Sequence, residues 1–241
     1  MSLSTIVIMQ ASWKNLKISY QQEEEYRDLK REILDGGIYY FETDQDRPII
    51  IDAGAHIGLS SLYFKWLYPY CQILAFEPNP RLFALLSENI SQNELTDVTL
   101  VPAALGKHAG TADFWLDATA WQWWSVGSFI PGAWNGEQKA QEKITVQTVK
   151  LIDYVKKLPR VDLLKMDIEG AEWTVLRGLR EQIDKIQELI FEFHPTKNQN
   201  LSELMAYLQK RGLAVSLADR KGRRVTSWHE GELILVTAKR R

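Results

Sequence analysis

The stretch IIIDAGAHIGLS, residues 49–60, decides the fold. Its branched apolar start reads as a short strand, Asp52-x-Gly54-x-x-x-Gly58 as a tight turn, and the residues after it as the first turn of a helix. Downstream the same unit recurs. Apolar runs at 49–51, 73–76, 98–101, 161–166 and 189–193 alternate with helical patterns at 58–67, 80–90, 171–179 and 201–210. That alternation predicts an α/β fold, a doubly wound and mostly parallel sheet with helices on both faces. Two last strands, near 213–217 and 232–237, are joined by a polar turn around Lys221-Gly222 and are expected to be antiparallel.

Upstream, the first 48 residues read as an appendage: a strand near 16–20, then a helix around 23–34 with Tyr26, Leu29 and Ile33 on one face, ended by Asp35-Gly36-Gly37. Residues 49–241 form the main domain. Inside it the rhythm breaks between 111 and 151, where 112–116 and 144–149 could be strands around a long irregular insert at about 117–143. Five of the nine tryptophans, Trp115, Trp121, Trp123, Trp124 and Trp134, fall within the twenty residues 115–134. Loops of that length tend to be functional or disordered, and rigid aromatic faces suit either a lid or acceptor wall, with Trp121, Trp123 and Trp124 touching substrate, or ordinary core between the flanking strands.

Size and composition bound the answer. At 241 residues, 45% hydrophobic and 25% charged, the chain suits one soluble globular core. A net charge of -2 gives no general attraction to nucleic acid, and the small basic clusters at 221–224 and 239–241 read as a solvated turn and a frayed tail. A single cysteine, Cys71, excludes an internal disulfide and fits a reducing cytoplasm, its apolar setting suggesting a core thiol. Neither a signal peptide nor a membrane span is legible, so a cytoplasmic protein is expected, with its oligomeric state, monomer or homodimer, left open.

The glycine turn is followed, 23 residues after Gly54, by Glu77 in Phe76-Glu77-Pro78-Asn79-Pro80. An acid at that distance, ending the second strand, commonly binds the two hydroxyls of a ribose. An adenosine-containing cofactor follows. A dinucleotide fingerprint would carry glycine two residues after Gly54, where His56 stands, and Asp52 would repel a diphosphate but suit a cation. S-adenosylmethionine, with its sulfonium and ammonium groups, is therefore preferred over a nicotinamide dinucleotide. The expected cofactor contacts are Asp52, Gly54, His56, Gly58, Glu77, Pro78, Asn79, Ala104 and Asp167.

The ordered blocks IIDAGAHIG, AFEPNP, VDLLKMDIEGAEWTVLRG and ELIFEFHP resemble the FkbM family of S-adenosylmethionine-dependent methyltransferases over about residues 49–195. LLKMDIEGAE, residues 163–172, is the specific block. The resemblance implies a class I methyltransferase fold, a seven-stranded sheet in the order 3-2-1-4-5-7-6, and transfer to a hydroxyl oxygen of a small molecule, a natural product or a sugar. Nitrogen is the first alternative acceptor. A nicotinamide-dependent oxidoreductase and a non-catalytic cofactor-binding module are the rivals from other classes.

That strand order brings Asp52, Asp167, and Glu192 with His194 to one crevice. An alcohol is a poor nucleophile until its proton is taken, and a positioned base contributes on the order of 10²- to 10⁴-fold. His194, neutral at an ordinary histidine pKa, is the expected base and Asp167 the second choice. Lys165 is expected to pair with Asp167 or Glu192, since a lone buried ammonium is costly. Glu169 reads equally as a substrate contact or as a helix-start acid, and Glu172 reads first as the latter. No spacing among the histidines, the cysteine and the acids resembles a metal cage, so no metal is expected.

Overall fold

The computed structural model describes residues 7–117, 127–129, 141–194, 200–219, 222–226, 228 and 234–240. A hairpin, β1 (Met9–Trp13) and β2 (Leu16–Tyr20), leads into helix α1 (Glu23–Leu29), which widens into a π-helical turn at Lys30–Asp35. The alternating part begins with β3 (Ile49–Ala53), α2 (Leu59–Leu67), β4 (Gln72–Phe76), α3 (Pro80–Gln92) and β5 (Val98–Val101). Four strands follow: β6 (Ala104–Leu105), β7 (Gly110–Asp117), β8 (Gly127–Ser128) and β9 (Gln141–Val149). The chain returns through α4 (Ile152–Val155), β10 (Val161–Met166), α5 (Glu172–Gly178), β11 (Ile186–Phe193) and α6 (Leu201–Lys210). It closes with β12 (Leu213–Ala218), β13 (Arg224–Val225) and β14 (Ile234–Arg240).

The main sheet has eight strands in the order β13-β12-β14-β11-β10-β3-β4-β5. The five from β5 to β11 are parallel, and β14 runs antiparallel to both β11 and β12. The expected seven strands are thus corrected to eight. The two-residue β13 extends the order beyond the strand at Leu213, and β6 to β9 form a separate sheet that the expectation lacked. Alternation along each strand splits the core between the two faces. Ile50, Leu163 and Ile190 join one cluster with Leu59, Phe64 and Leu86, while Ile51, Leu164 and Leu189 join another with Leu176, Leu179, Leu204 and Leu208. Strand β10 is buried at all six positions, as a central parallel strand covered on both sides must be.

Local chemistry sets the helix starts. The Asn79 side chain accepts from Arg81 N–H at 3.0 Å, and Pro80, which has no N–H to leave unpaired, opens α3. Asn200 caps α6 in the same way through Glu203 N–H at 3.1 Å. Within residues 7–48, Trp13, Leu16, Ile18, Tyr20 and Tyr26 bury into the same cluster as Leu59 and Leu86. They cover one face of the sheet. The expected frayed tail is likewise structural, since the Arg240 guanidinium on β14 donates to the carbonyls of Ile186, Arg211 and Ile183 at 2.8 to 3.0 Å.

In the second sheet, ordered β6-β9-β7-β8, Phe114 pairs with Ile144, and Phe114, Leu116 and Val146 make a small core with Ala104. A Cβ on Gly127 would stand 2.2 Å from the Phe114 ring, so only glycine lets β8 lie there. Trp121, Trp123, Trp124 and Trp134, and with them the expected aromatic acceptor wall, lie outside the described residues. Trp115 is half-buried, with the Lys143 ammonium 5.7 Å from its ring centroid. Among the described residues no helix is long and apolar enough to cross a membrane.

Candidate active site

Register builds the site. Phe76, Ala53, Met166 and Phe191 lie in one row across β4, β3, β10 and β11. The next residue on each strand is therefore Glu77, Gly54, Asp167 and Glu192, at the carboxyl edge where open parallel sheets bind ligands. Asp167 N–H still donates to Ala53 O at 3.0 Å, which fixes where the turn leaves the sheet.

Gly54 has φ +77°, and a Cβ there would stand 1.9 Å from the carbonyl oxygen of Asp167. Its missing side chain lets the two strand ends touch. Gly58, φ +93°, likewise lacks the Cβ that would meet Leu86 at 2.7 Å. Glu77 is buried, and its two oxygens accept from the backbone N–H groups of His56 at 2.9 Å and Asn79 at 2.8 Å. A carboxylate has about four acceptor positions, so two remain for a ribose diol. Burial holds the Glu77 carboxyl above its usual range, against the pull of His56 and these N–H groups. Pro78 is half-buried beside it, Asn79 serves as a helix cap, and Ala104 belongs to the core of the second sheet.

Asp52 and Lys165 have other work than expected. Asp52 is fully buried; its Oδ2 accepts from the hydroxyls of Ser60 at 2.6 Å and Ser61 at 2.7 Å, and its Oδ1 lies 3.3 Å from the Lys165 ammonium. The same ammonium donates to Gly54 O at 2.6 Å. Lys165 therefore pairs with Asp52, not with Asp167 or Glu192, because alternation turns it toward the strand neighbour Asp52 in the same register row. Both hold the glycine turn and the first turn of α2. Neither faces the crevice as a spare charge.

A cluster of titratable side chains surrounds His194. Its Nδ1 lies 3.0 Å from Glu172 Oε1, and its Nε2 lies 3.4 Å from Glu169, 3.7 Å from Glu192 and 3.9 Å from Asp167. Burial opposes a charge on His194, but Glu169, Glu172 and Asp167 outweigh it and push its pKa up to about 10. Against the expectation of a neutral histidine base, the neighbouring acids favour the charged form of the ring. Glu169, at φ +56°, is raised well above the usual carboxylate range by burial, with Asp167, Glu172 and Glu192 adding to the effect against His194. Glu172 is no mere helix-start acid. It is fully buried and accepts from Gly170 N–H at 3.1 Å as well as from His194.

Asp167 Oδ1 and Glu169 Oε2 are buried without a hydrogen-bond partner and lie 3.9 and 3.4 Å from His194 Nε2, so their compensation comes from the ring's charge. Asp167, Glu192 and His194 each offer a donor atom within 4.8 Å of the others, a convergence across two strands that spacing along the chain could not show. Ser128, on β8, donates its hydroxyl to Glu169 O at 2.9 Å and ties the second sheet to this turn. Ser60, Ser61 and Ser128 were not legible as site residues; only the serine pair directly after the glycine turn carried a signal. His56 stands at φ +53° inside that turn, and His108 is exposed on a loop, away from these contacts.

Comparison with known proteins places this geometry. The family model described as methyltransferase FkbM domain matches residues 52–213. Methyltransferase sdnD of Sordaria araneosa is 30% identical, over 88% of this chain and 89% of its own. The 2-O-methyltransferase NoeI of Sinorhizobium fredii is 31% identical over 61% of this chain and 63% of its own. In fold, the chain is similar to a crystal structure of methyltransferase FkbM from Methylobacillus flagellatus, with a TM-score of 0.54 at 16% identity, over 82% of this chain and 45% of the other.

Proposed function

The chain belongs to the FkbM methyltransferase family, and we propose that it moves the methyl group of S-adenosylmethionine to a hydroxyl oxygen of a small molecule, a sugar or a natural product. The observation that carries this reading is the row Glu77, Gly54, Asp167, Glu192 at one sheet edge, with a diol acceptor at one end and a surplus of carboxylates at the other. Bound there, S-adenosylmethionine would supply an electrophilic methyl group on a sulfonium. Glu77 would accept from its ribose hydroxyls. The relative that acts, by its name, on a 2-oxygen supports oxygen as the acceptor.

The chain's own residues divide the work. Asp167, whose side chain is 30% exposed and whose Oδ1 lies 3.9 Å from His194 Nε2, would take the acceptor proton. His194, its charge favoured by the surrounding acids, would hold the carboxylates in place. The turn from Asp167 to Glu172 fixes the acceptor oxygen in line, which can contribute about 7 to 11 kcal/mol at the upper limit. A second reading follows from the raised His194 pKa, which leaves less base available: a nitrogen acceptor of low pKa needs none.

Incubating the purified chain with S-adenosylmethionine and panels of sugars, polyols and amines, and measuring S-adenosylhomocysteine, tests both. Methyl ethers are the expected products. Binding of NAD without binding of S-adenosylmethionine would overturn the assignment.

A further inference from the structure

Two consecutive residues of the glycine turn, His56 and Ile57, are held by the segment that precedes the alternating fold. Ser19 on β2 donates its N–H to Asn89 Oδ1 at 2.6 Å, and its carbonyl accepts from Asn89 Nδ2 at 2.9 Å. The same Nδ2 donates to Ile57 O at 2.8 Å. Asn89 is fully buried, so these bonds form where water cannot replace them. One residue earlier, His56 Nε2 lies 3.3 Å from Oε1 of Glu25, a buried acid on α1. The rings of Tyr20 and Tyr26 stack with centroids 4.2 Å apart, which joins hairpin and helix into one body.

His56 needs this hold. A left-handed backbone is uncommon away from glycine and persists only where its surroundings over-determine it. If the peptide before His56 rotated, the 2.9 Å bond from His56 N–H to Glu77 Oε2 would be lost, and with it one of the two bonds that aim this carboxylate.

We propose that Glu25 is a positioning residue for the cofactor site: acting through His56, it fixes the glycine turn and the Glu77 carboxylate, so that the N-terminal segment is part of the cofactor-binding apparatus. The inference rests on reading that site as an S-adenosylmethionine pocket. Glu25 lies outside residues 52–213 covered by the family model, so the family match alone gives it no role. The charged groups facing His56 are Glu25 from α1, Glu77 from the end of β4 and Asp167 from the end of β10. Burial opposes the charge on His56, and Glu25 does most to sustain it. Loss of the His56 proton as pH rises therefore loosens the turn.

Isothermal titration of the full chain and its Glu25→Gln variant with S-adenosylhomocysteine, repeated across the pH range in which histidines titrate, tests this. The variant is expected to bind about tenfold more weakly at neutral pH, the scale of one charge-assisted hydrogen bond. Its KM for S-adenosylmethionine should rise by a similar factor, while kcat at saturating cofactor falls less than about threefold. The wild type should lose affinity as pH rises, and the variant, lacking the pair at every pH, should not. Should Glu25→Gln not fold, His56→Asn, which tolerates the left-handed backbone but carries no charge, is expected to weaken binding likewise. Unchanged affinity or an unchanged pH profile in a folded variant overturns the proposal. Failure of the wild type to bind S-adenosylhomocysteine is a different result and overturns the pocket assignment instead.

Discussion

Glu172 Oε1 and His194 Nδ1 lie 3.0 Å apart, one at the start of α5 and the other just beyond β11, and both are buried. The pair joins the two chain segments that flank the crevice. A carboxylate behind an imidazole fixes the ring's orientation and sustains its charge, so the geometry of the cluster at the sheet edge depends on this pair.

Glu172→Gln keeps the shape and removes the charge. It is expected to cost about 1–3 kcal/mol of stability, the range for disturbing a buried hydrogen bond to a charged group. Urea unfolding measures it, with the exposed Glu181→Gln as a control expected to stay within about 0.5 kcal/mol. Equal curves for the two variants would show that the pair contributes nothing.

The same cluster sets a pH dependence. The His194 pKa is raised in the folded chain from 6.5 to about 10, so the stability it contributes is fully present below about 6.5 and is lost as pH rises through about 10. Glu169, also raised, acts in the same direction, because its ionisation costs more in the folded chain than in the unfolded one. A loss of about 2 kcal/mol, seen as a fall of roughly 4–8 °C in Tm, is expected between neutral pH and the upper end of that window. His194→Gln should flatten the profile. A wild-type Tm that rises across the window would refute the assignment.

Lys165→Met leaves Asp52 buried with only two serine hydroxyls. Removing one partner of a buried ion pair costs about 3–5 kcal/mol, and adding Asp52→Asn should restore part of that. Chemical denaturation of the single and double variants measures the coupling. A Lys165→Met chain as stable as wild type, but inactive, would return Lys165 to a catalytic role.

Asp167→Asn removes the proposed proton acceptor while leaving its backbone N–H on Ala53 O. A fall in kcat of about 10²- to 10⁴-fold is expected for a hydroxyl acceptor, with S-adenosylhomocysteine affinity changed far less. Steady-state kinetics with titration of the product cofactor separates the two. Normal turnover in the variant would favour the nitrogen acceptor.

Much of this was legible in the chain itself. Pattern alone marked β3, β4, β5, β10 and β11 and the helices α2, α3, α5 and α6, because sheet strands in this fold carry apolar runs and helices need a 3.6-residue stripe. Glu77, Asp167 and His194 were legible too, as charge placed where an apolar run ends. The sequence by itself determined the alternating fold, the edge of the sheet where chemistry would lie and the family. Only the tertiary structure decided which charges meet. Register put Lys165 beside Asp52, the fold closed Glu172 onto His194, and the N-terminal segment brought Glu25 to His56 across 31 residues of chain. Periodicity reports the face on which a side chain stands; its partner and its protonation state depend on contacts between segments far apart in sequence, where burial strengthens every charge that water no longer screens.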